Sequence, residues 1–125
     1  MTLAAKIALV PPLLLSLLMG LTMLFAPDIA AEGLGGFNGA TELGAATLRA
    51  DLSAFFLTSA IAILGALFAG KRNWLWVPVA LYGLAAFGRI IDVLFTGLGA
   101  GELQPIVVEI LVVILVLFAR GSRRS

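Results

Sequence analysis

The sequence predicts an all-α integral membrane protein, a four-helix bundle running up-down-up-down with both termini cytoplasmic. Three observations carry that expectation. The 125-residue chain is 62% hydrophobic and 12% charged, whereas soluble domains average about 45–50% apolar and about 25% charged. Its apolar residues gather into four runs, 7–25, 52–70, 73–88 and 103–119, each close to the ~20 residues that cross ~30 Å of hydrocarbon. Six of the eight basic residues lie on one side of those runs. Lys6 precedes the first, Lys71 and Arg72 join the second to the third, and Arg120, Arg123 and Arg124 follow the fourth. Asp28, Glu32, Glu42 and Glu102 occupy the two opposite loops. Excess Lys and Arg stays in the cytoplasm, so the expected location is the cell inner membrane, as a multi-pass protein. A bias this one-sided argues against dual topology.

A single domain, 1–125, accommodates helices near 4–26, 46–70, 74–96 and 105–120. Helix one follows Lys6 in the manner of a secretory signal, but its 19-residue run exceeds the ~7–15 of such a segment, and no good cleavage site follows. It is expected to be retained. Pro11 and Pro12 remove two backbone donors and are expected to kink it in its cytoplasmic third. It stops before Pro27. The glycine-rich loop that follows is expected to open with a short interfacial helix over 28–34, and Thr41 or Asn38 is placed to cap helix two.

Helix two carries small residues at every fourth position: Ala50, Ala54, Thr58, Ala62, Ala66 and Gly70. Such a row lets another helix approach closely where lipid supplies no hydrophobic drive. The partner is either another helix of the chain or a second subunit, so a homo-oligomer or a larger membrane complex is open. Trp74 and Trp76 suit an inner aromatic belt at the start of helix three. Pro105 suits the first position of helix four, and the short linker before it makes helices three and four antiparallel neighbours.

With no cysteine and no histidine, thiolate chemistry, haem ligation and His/Cys metal sites are excluded. No cofactor is expected. A net charge of +1 gives no basis for a nucleic-acid partner.

The unusual feature is charge within the spans. The third run ends FGRIIDVLF, with Arg89 and Asp92 inside it. Arg89 lies seven residues before Thr96, roughly 10 Å deep, and Asp92 roughly 6 Å deep. Glu109, four residues after Pro105, lies roughly 6 Å in, and Arg49 and Asp51 stand at the same end of helix two. Arg89 and Asp92 are three apart on one helix face and are placed to pair. Asp51 is expected to face the bundle with the small-residue row, leaving Arg49 to reach outward. Tyr82, seven residues before Arg89, points the same way and is placed to floor a cavity. A lone tyrosine is otherwise a satisfied core residue.

Charges at membrane depth are costly, about 2.5–3.5 kcal/mol each at the centre on insertion scales, and usually face inward and pair. Two arginines against three carboxylates leave one acid over. Glu109, set in IVVEILVV, is expected to be that acid, holding a proton or taking up an external cation or donor. Three readings of the cluster stand: an ion-pair network fastening three helices, a polar ligand or headgroup site, and an acid–base centre. The candidate ligand-binding residues are Arg49, Asp51, Tyr82, Arg89, Asp92 and Glu109. No catalytic residue is assigned; an enzyme would draw on Asp51, Asp92 and Glu109. Lys71, Arg72 and the RGSRRS tail read as topology determinants, with contact to anionic lipid as the second reading.

LFAPDIAAEGLG after helix one, TLRADLSAFFL, FGRIIDVLFTG, and a glutamate early in a last apolar helix ending in arginine together resemble a group of small four-helix bacterial membrane proteins of unknown function. In plan these are broadly similar to DoxX-type proteins. The resemblance implies a four-helix bundle and no established activity. It matches Arg49, Arg89 and Glu109 to that pattern, and Asp51 and Asp92 less closely. The quinone-linked oxidation associated with DoxX itself is an analogy of fold alone.

The function expected is therefore a non-enzymatic membrane protein with a charged pocket in the outer third of the bilayer. It binds a lipid or lipophilic small molecule there, or serves a membrane complex as an accessory subunit. The alternative is a membrane-embedded acid–base enzyme of isomerase, cyclase or epoxide-hydrolase type. A proton-coupled exporter ranks below both, because helix one carries no ionisable residue over 7–25. A channel ranks lower still, since no polar stripe runs the full depth of any helix.

Overall fold

A computed structural model of the chain describes residues 1–26, 29, 46, 48–98 and 103–122. Among them, α1 (Leu3–Phe25) begins at Thr2, whose hydroxyl accepts from the Ala5 N–H at 3.1 Å and so satisfies a helix-start donor. The helix continues through both prolines, with Pro12 buried and Pro11 facing out. It closes where Ala26 N–H donates to Thr22 O at 2.7 Å, one residue before Pro27. The expected 28–34 helix and the Thr41 or Asn38 cap lie outside the described residues.

Helix two departs from the expected single span. A wide π-type turn, Leu48–Leu52, precedes α2 (Ser53–Phe68). The small-residue row is also split: Ala62 and Ala66 are buried, while Ala50, Ala54, Thr58 and Gly70 are exposed. The reason is geometric. Each step of four overshoots a turn by about 40°, so the row has wound about 120° round the helix between Ala54 and Ala66. The face buried instead holds Ser53, Ser59, Ala60, Ala62, Ile63 and Ala66.

Gly70, at φ 68°, turns the chain so that the N–H groups of Ala69 and Lys71 both reach Gly65 O at 3.0 Å. A 3₁₀ turn, Arg72–Leu75, leads into α3 (Trp76–Thr96), which ends at Gly97 in a left-handed conformation, φ 81°. Finally, α4 (Leu103–Gly121) starts two residues ahead of the expected Pro105, which still falls in its first turn, where a missing N–H costs nothing.

The helices form a closed ring: α1 packs on α2 and α4, and α3 packs on α4 and α2. The shared core draws on all four helices and the 3₁₀ turn, with Leu9, Ile63, Leu75, Tyr82 and Val116 at its centre. Contact is closest at two glycines. A Cβ at Gly20 would sit 2.6 Å from the Leu57 side chain, and one at Gly65 would overlap the Trp74 indole.

Each of the four spans is long and apolar enough to cross a membrane, yet only 17–33% of each is buried inside the bundle. Large apolar side chains such as Leu14, Leu18, Phe87 and Leu94 point outward on every side. Water would not tolerate that surface over such an area, whereas lipid matches it. The chain is a multi-pass helical membrane protein.

One end of the bundle is tied by side chains. Thr2 Oγ1 and Ser122 Oγ are hydrogen-bonded at 2.7 Å, Arg120 Nη2 donates to Asn73 Oδ1 at 3.1 Å, and the Arg120 guanidinium lies 4.3 Å over the Trp76 ring. The start of α1, the turn between α2 and α3, and the end of α4 therefore meet.

Candidate functional site

Away from that end, α3 and α4 each bring one charge to their shared contact. Arg89 stands seven residues before the end of α3 and Glu109 six residues after the start of α4, so both lie roughly 10 Å along from neighbouring helix ends. The matched level lets Arg89 Nε donate to Glu109 Oε1 at 2.7 Å, the distance of a charge-assisted bond. Glu109 is the more enclosed partner, its side chain 11% exposed against 39% for Arg89.

The expected Arg89–Asp92 pair is not formed. Asp92 is exposed, and among the described residues its carboxylate makes no ion pair. A buried carboxylate without a partner is far costlier than an exposed one, so the Arg89 guanidinium turns across to α4. Glu109, expected to be the acid left over, is instead paired with Arg89. Asp51 and Asp92 form no ion pair among the described residues.

Asp51 does not face the bundle. It is exposed on the wide Leu48–Leu52 turn, where the backbone no longer advances 100° per residue and the angle projected from Thr58 fails. Arg49 is on the same turn, and its side chain lies outside the described residues.

Tyr82 is 1% exposed, with its hydroxyl 2.7 Å from Ser16 Oγ. Its ring meets Phe55 and Phe56 edge-on, at centroid separations of 5.5 and 6.0 Å. It does not present its hydroxyl to a cavity; it is a satisfied core tyrosine. Ser16 was legible only as the one polar residue of LLLSLL, and its hydrogen bond joins two helices that face each other across the ring.

Chemically, the pair offers one neutralised carboxylate and one arginine bound through Nε alone. No described residue accepts from its two Nη groups. These are planar donors suited to an anion or carbonyl. No group of three acids forms a metal site among the described residues. Comparison with protein-family models, with curated proteins and with solved structures finds no match for this chain.

Proposed function

We propose that the chain is a non-enzymatic protein of the bacterial inner membrane whose Arg89–Glu109 pair receives the polar head of an amphiphilic, lipid-like ligand. The observation that carries this reading is the single Nε contact, which leaves both Nη groups of a part-exposed arginine without an acceptor among the described residues, beside outward-facing Ile90 and Val107. Glu109 holds the guanidinium in place, the two Nη groups meet the acceptor atoms of the head, and the apolar faces of α3 and α4 line the tail. The bundle runs up-down-up-down with both termini cytoplasmic. The Thr2–Ser122 and Arg120–Asn73 bonds support that arrangement, and so does the grouping of six of the eight basic residues at one end. Asp51 and Asp92, both exposed, belong to the rim of the site rather than its floor. The exposed small residues Ala50, Ala54 and Thr58 provide the surface for a second copy or a larger complex.

An acid–base enzyme is the less favoured reading. It requires two enclosed carboxyls, whereas Glu109 is held by arginine and both Asp51 and Asp92 are exposed.

The test is thermal unfolding in a neutral detergent against a panel of amphiphiles with carboxylate, phosphate and carbonyl heads. At 100-fold excess over Kd a true ligand stabilises by about 2.7 kcal/mol, a readable rise in Tm. One head class should raise Tm for wild type and not for Arg89→Gln. A panel with no such class overturns the proposal.

A further inference from the structure

The turn between α2 and α3 forms a shallow concavity lined by Gly70, Lys71, Arg72, Asn73 and Trp74. It lies at the tied end of the bundle, away from Arg89. Its hydrogen-bonding character is one-sided. The Lys71 and Arg72 side chains are exposed and form no hydrogen bond or ion pair with any described residue. Asn73 contributes a carbonyl oxygen and an amide, but Arg120 Nη2 already occupies that oxygen at 3.1 Å, which leaves the amide N–H groups as the free half of the side chain. The side-chain donors therefore outnumber the available acceptors.

No carboxylate among the described residues offsets them. Asp51 and Asp92 are each roughly 28 Å of helix from this turn, and Glu109 is roughly 16 Å from Arg120. Arg120 adds a further positive charge, spread over the Trp76 ring.

The depth and walls of the concavity indicate what kind of anion fits. It straddles the junction of two candidate spans, Ala50–Phe68 and Arg72–Thr96, where a bilayer crossed by both would bring its lipid phosphates. Trp74 is seated against Gly65 on one side and half exposed on the other. Trp76 is also half exposed and Phe68 is 82% exposed. Indole rings favour the zone between headgroup and acyl chain. A small anion would use the donors alone, whereas a lipid uses donors, indoles and Phe68 together.

We infer that the 70–74 turn binds the phosphate of an anionic phospholipid headgroup, held by Lys71, Arg72 and the Asn73 amide, with Trp74, Trp76 and Phe68 against its glycerol and upper acyl region. Arg120 acts here as a positioning residue, keeping the Asn73 oxygen turned away from the phosphate. This site is separate from the one proposed at Arg89, and the two stand or fall independently.

The experiment is native mass spectrometry of the full chain in mixed micelles holding equal phosphatidylglycerol and phosphatidylcholine. Wild type should retain phosphatidylglycerol preferentially. Each interfacial basic residue contributes ~1 kcal/mol, so Lys71→Gln/Arg72→Gln should reduce that preference on the order of thirtyfold. As both basic side chains are exposed and unpaired among the described residues, the double variant should fold with an unchanged Tm. If it does not, the wild-type preference is followed against salt and must fall as screening rises. Equal retention of both lipids by wild type, an intact preference in the folded double variant, or a salt-independent preference overturns the inference. Displacement of the lipid by inorganic phosphate at matched ionic strength overturns it too, because the site would then be one for small anions.

Discussion

Consider the removal of the Arg89 guanidinium by Arg89→Gln. The carboxylate left behind is 11% exposed in a span that lipid surrounds. Breaking a fully buried ion pair by deleting one partner costs about 3–5 kcal/mol. Arg89 is 39% exposed, so solvent or headgroups reach the vacancy and part of that cost is recovered. About 2 kcal/mol remains. Glu109→Gln keeps an amide oxygen for Nε and costs about 1 kcal/mol, the scale of one hydrogen bond. In the double variant neither charge is stranded, and its cost is again about 1 kcal/mol by the same scale. The cycle therefore predicts a coupling near 2 kcal/mol, well above the ~0.5 kcal/mol scatter of independent sites. Reversible unfolding in mixed micelles, followed by circular dichroism, measures all four species. Additivity within that scatter would refute the pairing as an energetic feature of the fold.

Other perturbations have definite expected outcomes. Ser16→Ala strands the Tyr82 hydroxyl in the core and should destabilise by about 1–3 kcal/mol, with most of that loss relieved when Tyr82→Phe is added; an unrelieved loss in the same unfolding assay counts against the hydrogen bond. Gly65→Leu must expel the Trp74 indole, so unfolding should show about 1–3 kcal/mol lost and Trp fluorescence should shift red. By contrast, Gly88→Ala meets nothing within 4 Å and should be neutral or stabilising, by up to about 1 kcal/mol. Asp51→Asn and Asp92→Asn should each stay within about 0.5 kcal/mol of wild type, because both side chains are exposed and unpaired among the described residues; a larger thermal shift in either would place that acid in contacts of its own.

The helices themselves were legible because hydrocarbon thickness dictates run length and the runs are unbroken. The boundaries moved by a few residues where caps decide them: α1 begins behind the Thr2 hydroxyl, and α3 is entered through a 3₁₀ turn that hydropathy does not register. The wide turn at 48–52 was hidden for the same reason, and with it the outward position of Asp51. Spacing along one helix placed Arg89 and Asp92 on one face but carried no information on the register of α4. Glu109 won the guanidinium through a match of level between two helices. Arg120 shows the limit from the other direction. It read as a topology charge at the end of a run, yet its guanidinium is stacked on Trp76 and bonded to Asn73, two residues more than forty positions away in sequence.

The measurement that bears most directly on Arg89 as a recognition residue is native mass spectrometry of gently solubilised wild type and Arg89→Gln, with extraction and identification of whatever each carries. The proposal predicts an amphiphile bound to wild type and absent from the variant, while circular dichroism shows the four helices intact in both. A wild type that carries nothing beyond a phospholipid lost in Lys71→Gln/Arg72→Gln, or a folded Arg89→Gln variant that retains every molecule the wild type carries, would contradict it.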